Sequence, residues 1–159
     1  MTVVYLGLGS NVDDKEEHLT KAIRSLKEFC TINKMSHLYL TEPVGVHRQD
    51  WFLNAVVEID TDLPPATLLS KVKSIEQDLG RKPTVKNGPR TIDIDILFYS
   101  DLVLQTKDLV IPHPRVHERL FVLRPMMDLN PCFVHPVLHK TIQELVDERP
   151  WSEAVTPFK

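Results

Sequence analysis

The sequence has little cysteine, little glycine and no long apolar run, and each shortage excludes a class of protein. Two cysteines, Cys30 and Cys132, are too few for a disulfide framework and lack metal-ligand spacing, so a reducing compartment is expected. No apolar run approaches the roughly 20 residues of a membrane-spanning helix, and the uncharged first residues predict a strand rather than a signal peptide. A net charge of −3 excludes a broad positive field. We therefore expect no membrane or nucleic-acid partner.

Length and composition are those of one globular domain spanning residues 1–159. The chain is 42% hydrophobic and 26% charged, which excludes extended disorder and allows a substantial core. Twelve prolines against five glycines indicate rigid loops. The loops are therefore the first place to search for function.

The apolar periodicity predicts alternating strands and helices. Strands are predicted over 3–8, 31–40, 51–61 and 91–96, helices over 13–29, 64–79 and 141–149, and a small hairpin over 102–110. Capping boxes mark two helix starts, at Asp13 with Glu16 and at Thr141 with Glu144, and Gly80 marks a helix end. This order predicts an α+β, ferredoxin-like two-layer sandwich. Helices would cover one face of a mainly antiparallel sheet, leaving the other face or one end for a ligand.

Two aspartates on one strand are the strongest chemical signal. Side chains alternate along a strand, so Asp93 and Asp95 point to one face, with Cα atoms about 6.6–7 Å apart. Mg²⁺ is usually held by one or two carboxylates together with substrate phosphates. The alternative is structural: one aspartate is solvated and the other pairs with Arg90 or a lysine.

A basic loop precedes this strand and contains Arg81, Lys82, Lys86 and Arg90. A planar guanidinium at the mouth of the strand is suited to phosphate oxygens. A basic loop beside two carboxylates is explained if metal-bound phosphate lies between them. A solvated loop is the alternative for the lysines.

A third cluster follows the hairpin. His113 and Arg119 are candidate phosphate ligands, and Phe121 is a candidate aromatic platform. The i,i+4 spacing of His113 and His117 would suit zinc on a helix, but Pro114 between them disfavours one. Two later histidines, at positions 135 and 139, are interpreted as surface or packing residues.

The first glycines, Gly7 and Gly9, resemble the start of a dinucleotide fingerprint, but Val12 occupies the place of its third glycine. The sequence also lacks the G-x-x-x-x-G-K-[ST] phosphate loop. A nucleotide would therefore be bound in another way.

Taken in order, these segments resemble the 6-hydroxymethyl-7,8-dihydropterin pyrophosphokinase family. The matching segments are Leu8-Gly9-Ser10-Asn11, Phe52-Leu53-Asn54-Ala55, Gly80-Arg81, the Gly-Pro-Arg-x-x-Asp-x-Asp signature within 88–97, and Pro112-His113 with Arg119 and Phe121. The family is ferredoxin-like, in agreement with the strand and helix order. It transfers diphosphate from ATP to the pterin hydroxymethyl group in folate biosynthesis and releases AMP.

The resemblance implies roles for individual residues. Asp93 and Asp95 would hold two Mg²⁺ ions against the ATP phosphates, with Arg90 and Arg81 completing the catalytic group. The residues implied for ATP binding are His113, Arg119, Arg90, Lys82 and Ile96. The residues implied for pterin binding are Thr41, Val44, Phe52, Asn54 and Phe121. Glu76 resembles an acidic position facing the active-site loop, with a solvated helix surface as the alternative.

The chain departs from many bacterial members of that family. Asn87 replaces a tryptophan, the loop after Gly80 is one residue shorter, Pro114 replaces an aromatic residue, and Asp108 stands where an arginine can occur. Its Asn-Gly-Pro-Arg and Pro-Arg-Val-His-Glu-Arg segments are closer to eukaryotic versions, which are often fused to other folate enzymes. The expected location is cytoplasmic, or mitochondrial for a domain excised from a eukaryotic multifunctional enzyme.

Two other function classes fit part of the pattern. A non-catalytic ferredoxin-like module that binds nucleotide or RNA would explain the fold and the basic loop, but it would not need two carboxylates on one face. A metal-dependent phosphatase or nuclease would use the same carboxylates without a pterin.

Overall fold

A mainly antiparallel sheet with helices forms the framework of the chain. The computed structural model describes residues 1–12, 14–41, 51–80, 91–149 and 155–158. In chain order its strands are β1 Thr2–Ser10, β2 Thr31–Met35, β3 Tyr39–Thr41, β4 Phe52–Thr61, β5 Asp93–Tyr99, β6 Leu104–Gln105, β7 Val110–Ile111 and β8 Val155–Pro157. The helices are α1 Lys15–Leu26, α2 Pro65–Asp78, α3 Leu120–Leu129 and α4 Ile142–Asp147, with a 3₁₀ turn at Val116–Glu118.

The six-stranded main sheet has the order β5-β1-β4-β3-β8, and β2 also pairs with β4. Every pairing in this sheet is antiparallel. Two short strands, β6 and β7, form a separate hairpin, as the sequence predicts for 102–110. The α+β class with a mainly antiparallel sheet is therefore confirmed.

Helices cover both faces of the sheet, which corrects the expectation of a single helical layer. The first core packs α1 and α2 against alternate residues of β1 and β4, among them Leu6 and Val57. The second core packs α3 and α4 against the opposite face, where Tyr5, Val56 and Phe98 lie. The central strands β1 and β4 carry apolar residues on both faces because helices cover each face.

The strand predicted over 31–40 is broken in two. Met35 pairs with Val57 and Tyr39 with Asn54, so the three residues 36–38 between β2 and β3 face only two residues of β4, 55 and 56. The Ser36 hydroxyl accepts the Val56 N–H at 2.9 Å and donates to the His37 carbonyl at 2.7 Å. This side chain replaces a ladder bond at the bulge, which propensity alone does not reveal.

The predicted signals mark the end of α2 and the start of α4, but not the ends of α1. The last helix starts with the predicted capping box, in which Thr141 and Glu144 each accept the other's backbone N–H. Gly80 follows α2 with φ +96°, a conformation that favours glycine at a helix end. Helix α1 begins after Asp14, whose side chain makes no cap bond, and it ends at Leu26 instead of 29. The predicted cap residue, Asp13, lies outside the described residues.

The sequence pattern predicted no helix where α3 lies. Pro125 is inside this helix and removes one helical hydrogen bond, and a proline at such a position usually indicates a loop. The spacing of Leu120, Leu123 and Met126 is nonetheless that of a buried helical stripe. No helix in the described part of the chain is both long and apolar enough to cross a bilayer.

The buried His135 gives the fold a predicted pH dependence. Its Nδ1 accepts the backbone N–H groups of Val137 and Leu138 at 3.2 and 3.1 Å, so it packs as an uncharged ring. Burial lowers the pKa of His135, and the neighbouring His117 and His139 lower it further. As the pH falls below about 6.5, the unfolded chain is protonated first, so the free energy of unfolding falls until the folded-state pKa is passed.

A His135→Asn variant keeps an acceptor oxygen but cannot titrate. We expect its melting temperature to fall less than that of the wild type between about pH 7 and pH 5, as measured by thermal unfolding at several pH values. Parallel pH profiles for the two proteins would contradict this assignment.

Candidate active site

Three adjacent strands place the predicted site residues in one row across the sheet. Asp93 on β5 faces Gly9 on β1, and Gly9 faces Asn54 on β4. In the neighbouring row, Asp95 faces Gly7. Residues in register lie on the same face, and the glycines place no side chains of their own between the carboxylates and the amide. The side chain of Leu97 lies against Gly7, and that of Asn54 lies against Gly9. Asp93 and Asn54 are two strand spacings apart, about 10 Å.

The two aspartates lie on β5, which begins at Asp93 and runs to Tyr99 instead of covering 91–96. Their shared face is confirmed by the burial of Ile94 and Ile96 in the first core on the opposite side. Asp95 is exposed and Asp93 is partly buried. Two accessible carboxylates of this kind supply the hard oxygen ligands that Mg²⁺ prefers, with room for phosphate oxygens.

No group of three or more His, Cys, Asp or Glu side chains suited to a metal ion occurs among the described residues. Asp93 and Asp95 are the residues whose carboxylates would hold a magnesium ion here. The donors fit a metal–phosphate site, in which the substrate provides the remaining oxygens.

Glu76 on α2 forms a hydrogen bond to β5, the edge strand that carries the two aspartates. Its Oε2 accepts the backbone N–H of Ile94, between the two aspartates, at 2.8 Å. The residue is 5% exposed, so it is not the solvated helix-surface group considered above. Because β5 is at the sheet edge, its outward N–H groups need partners other than a strand. The carboxylate holds the backbone between Asp93 and Asp95.

Replacing Glu76 tests this role. Glu76→Ala would leave a buried N–H without this acceptor, and we expect the free energy of unfolding to fall by about 1–3 kcal/mol. Glu76→Gln retains an acceptor oxygen and should lose less than the alanine variant. Urea denaturation measures the free energy of unfolding of the two variants. Equal values for Glu76→Ala and Glu76→Gln would contradict the role of this hydrogen bond.

The amide of Asn54 lies at the opposite end of the row. Its Nδ2 donates to the Thr41 hydroxyl at 2.6 Å, across the β3–β4 pair. Both residues are buried, and Phe52 is partly buried beside them. Asn54 is therefore a positioned polar group and not a surface position on a half-exposed strand.

The start of α3 brings a ring and a guanidinium to the same side of the sheet. Arg119 immediately precedes the helix, and Phe121 lies in its first turn. The guanidinium carbon of Arg119 is 5.5 Å from the centre of the Phe121 ring, a cation–π distance. Burial lowers the pKa of Arg119, while the Asp95 carboxylate opposes this shift.

The charges of Asp95 and Arg119 are near enough to His113 to shift its pKa. Burial lowers the pKa of His113, Asp95 opposes the shift, and Arg119 and Arg115 add to the lowering. Its Nδ1 accepts the Arg115 backbone N–H at 3.2 Å, so the neutral ring carries its hydrogen on Nε2. The structure thus brings His113, Arg119 and Asp95 together, as the sequence predicts.

The family model for 7,8-dihydro-6-hydroxymethylpterin-pyrophosphokinase (HPPK) matches residues 5–131, which is more than half of the chain. The chain belongs to the HPPK family. The matched range contains the whole row from Asp93 to Asn54 and both residues at the start of α3.

The relatives of this chain include proteins of its own length and much longer ones. An Aquifex aeolicus protein named 2-amino-4-hydroxy-6-hydroxymethyldihydropteridine pyrophosphokinase is 45% identical, covering 93% of this chain and 92% of its own. The Dictyostelium discoideum folic acid synthesis protein FOL1 is 44% identical over 90% of this chain, which spans only 22% of that protein. The near-equal identities favour neither the bacterial nor the eukaryotic type.

A solved structure agrees with the fold. The Plasmodium falciparum HPPK-DHPS crystal structure with pteroate superimposes with a TM-score of 0.76 at 18% identity. The alignment covers 92% of this chain and 42% of that one. At this identity the match supports the architecture alone.

A cleft of about 370 Å³ opens beside the aspartates, between α2 and the β6–β7 hairpin. Ile96, the HPPK residue implied for ATP, lines it, and so does Asp108. The lining residues that the sequence reasoning missed include Leu69, Lys73, Lys107 and Leu109. The sequence offered only a weak signal for Lys73, which shares a helical face with Glu76 at i,i+3 spacing.

Several HPPK positions named in the sequence lie outside the described residues. They are Val44, Arg81, Lys82, Lys86, Asn87 and Arg90. The described part of the site therefore consists of the sheet face, the start of α3, the His113 turn and the cleft beside β5.

Proposed function

We propose that this chain is a magnesium-dependent kinase that transfers diphosphate from ATP to 6-hydroxymethyl-7,8-dihydropterin in folate biosynthesis. The observation that carries the proposal is the row Asp93–Gly9–Asn54, in which the residue with the carboxylate and the residue with the amide are about 10 Å apart, two strand spacings. A bicyclic pteridine with its one-carbon arm has a comparable length. The arm would thus reach the carboxylate end while the ring is held at the amide end.

The pterin would be held by groups with different chemistry. Phe52 and Phe121 offer aromatic faces for stacking, and Asn54 offers a donor and an acceptor to the ring edge. Val44 and Thr41 complete the proposed pterin site. Each of these assignments follows the family resemblance and agrees with the placement of those residues that the structure describes.

The ATP would lie along β5. Its nucleoside is assigned to the cleft lined by Ile96, and its phosphates to the region of His113 and Arg119. Arg81, Lys82 and Arg90 are proposed to add positive charge from the loop before β5. When bound, two Mg²⁺ ions would neutralise phosphate charge and orient the reacting oxygens.

The reaction is a displacement at the β-phosphorus. The pterin hydroxymethyl oxygen forms a bond to that phosphorus, and the bond to the oxygen that bridges the α- and β-phosphates breaks. AMP leaves with the bridging oxygen, and the hydroxyl proton is lost to solvent. Asp93 and Asp95 would hold the Mg²⁺ ions that bind the phosphates, and Arg119 would stabilise the phosphate charge.

We also propose that the fold is ferredoxin-like and that residues 1–159 act as a single domain. The sheet order β5-β1-β4 followed by β2 or β3 agrees with the ferredoxin-like arrangement of a doubled strand–helix–strand unit. We propose that the chain acts alone, as its relative of similar length suggests, or joined to other folate enzymes, as the longer relatives suggest. The free cysteines, Cys30 and Cys132, are consistent with a cytoplasmic or mitochondrial interior.

The test is AMP formation from ATP, measured with and without 6-hydroxymethyl-7,8-dihydropterin and with and without Mg²⁺. We expect AMP only when the pterin and the metal are both present. Inorganic phosphate without a pterin requirement would indicate a phosphatase, and binding of nucleotide or RNA without turnover would indicate a binding module. Either outcome would overturn the proposal.

A further inference from the structure

Asp128, in the last turn of α3, joins this helix to β3 and to the residues that precede β3. Its Oδ2 accepts the Tyr39 hydroxyl at 2.8 Å and the backbone N–H of His37 at 3.1 Å. The His37 Nδ1 lies 3.1 Å from the same oxygen. One carboxylate oxygen therefore has three polar contacts to a segment that is about 90 positions away in the sequence.

The His37 N–H lies where the pairing with β4 is irregular. Residues 36–38 face only two residues of β4, so backbone groups here need partners other than the ladder. The Ser36 hydroxyl accepts the Val56 N–H, and the Asp128 carboxylate accepts the His37 N–H. The irregularity is thus joined to α3 by a side chain of the helix.

Tyr39 is the first residue of β3 and is only 6% exposed. Burial raises the pKa of Tyr39 to about 12, and the Asp128 carboxylate contributes to this shift. The hydroxyl therefore keeps its proton near neutral pH and donates to Asp128. Hydrogen bonds to a charged acceptor are stronger than those between neutral groups, and this contact is the shortest of the three.

Phe121 and Asp128 lie on the same side of α3. They are seven residues apart, which is close to two full turns and about 10.5 Å along the helix axis. Leu123 and Met126 hold the helix on the second core by apolar packing. Such packing is non-directional, whereas hydrogen bonds weaken steeply as their angle departs from linear. The Asp128 contacts therefore restrain the position of α3 along and about its axis more tightly than packing alone.

We propose that Asp128 is a positioning residue that, through Tyr39 and His37, sets where α3 presents the Phe121 ring to the pterin. The inference rests on the proposed function of the site. Asp128 lies at the far end of the helix from the site, so its effect on the pterin passes through the placement of the ring. A displacement of about 1 Å can cost as much as a hundredfold in a positioned site. The groups assigned to ATP lie mostly on β5 and in the His113 turn, so ATP affinity should change much less.

Asp128→Ala removes all three contacts. Titration calorimetry measures the affinity for 6-hydroxymethyl-7,8-dihydropterin in the presence of Mg²⁺ and an ATP analogue with a methylene bridge between the α- and β-phosphates, and the affinity for that analogue alone with Mg²⁺. We expect the pterin to bind about tenfold more weakly and the analogue to change by less than about twofold. Asp128→Asn keeps an acceptor oxygen and should remain within about threefold of the wild type for the pterin. Equal losses for the two ligands in Asp128→Ala would overturn the proposal.

Tyr39→Phe tests the same contact with a smaller change, and it serves as the second variant if Asp128→Ala does not fold. It removes one hydroxyl, so we expect the pterin affinity to fall about threefold with little change for the ATP analogue. Tyr99→Phe is the matched control. Tyr99 is a partly buried tyrosine of the main sheet that packs against the first core, on the opposite face, and its hydroxyl donates to the Leu63 carbonyl at 2.6 Å.

The control separates positioning from general stability. Both tyrosine variants should have lower melting temperatures than the wild type, but only Tyr39→Phe should bind the pterin more weakly. If Tyr99→Phe lost as much pterin affinity as Tyr39→Phe, general destabilisation would explain the result and the proposal would be overturned.

A double-mutant cycle tests whether Asp128 acts through the ring. In a Phe121→Ala background, Asp128→Ala should change pterin affinity by less than about twofold, while its effect on the melting temperature persists. A tenfold loss in that background would show that Asp128 acts by another route and would overturn this inference while leaving the reaction intact. A wild type that binds neither the pterin nor the ATP analogue would overturn the proposed function as well.

Discussion

Asp95→Ala is expected to fold normally and to lose turnover by about three orders of magnitude. Asp95 is exposed on β5, so its removal opens no cavity and leaves the core intact. Its carboxylate is assigned to the metal–phosphate end of the site, where charge stabilisation accounts for most of the rate. A thousandfold loss corresponds to about 4 kcal/mol of transition-state stabilisation.

The measurement is kcat for AMP formation at saturating pterin and ATP, with thermal unfolding to confirm the fold. Asp101→Ala is the matched control, because Asp101 is an exposed carboxylate in the turn that follows the same strand. It should retain wild-type turnover. If Asp95→Ala were as active as Asp101→Ala, the catalytic role of the carboxylate would be wrong.

Phe121→Ala is expected to weaken pterin binding about ten- to a hundredfold and to affect ATP much less. Loss of a buried aromatic contact costs about 1.5–3 kcal/mol, and each 1.4 kcal/mol is tenfold in affinity. Arg119 lies over the same ring, so a smaller loss in ATP affinity is expected as that guanidinium becomes less restrained. Calorimetric titration with each substrate separates the two effects.

Phe29 provides the control for Phe121. It is also a partly buried ring with a cation nearby, the Lys71 Nζ at 5.9 Å from the ring centre, but it belongs to the first core on the opposite face of the sheet. Phe29→Ala should reduce stability without changing either affinity. Equal losses of pterin and ATP affinity in Phe121→Ala would contradict the stacking role.

Features governed by neighbouring residues were predictable from the sequence. The capping box at Thr141, the helix end at Gly80 and the shared face of Asp93 and Asp95 depend on contacts within a few positions, and the structure confirms each. The strand and helix order likewise predicted an antiparallel sheet with helices.

Features governed by distant residues were not predictable in this way. The alignment of Asp93, Gly9 and Asn54 depends on the register of three strands that are far apart in sequence. The burial of Glu76 depends on α2 lying beside an edge strand. The second helical layer depends on α3, whose periodic pattern is interrupted by Pro125.

The family resemblance supplied most of what the residues alone left open. From the sequence pattern alone, Asn54 was better explained as a polar position on a half-exposed strand, and Phe52 and Phe121 as core residues. The structure adds a reason for the placement of Asn54, since Thr41 and Gly9 contact the two ends of its amide. Its role toward a pteridine remains a prediction.

Transfer of labelled phosphate tests the central claim most directly. The protein is incubated with Mg²⁺, 6-hydroxymethyl-7,8-dihydropterin and ATP that carries radioactive phosphorus at either the α- or the γ-position, and the products are separated. Diphosphate transfer predicts γ-label in the pterin product and α-label in AMP. Label from the γ-position in inorganic phosphate, or α-label in ADP, would contradict the account.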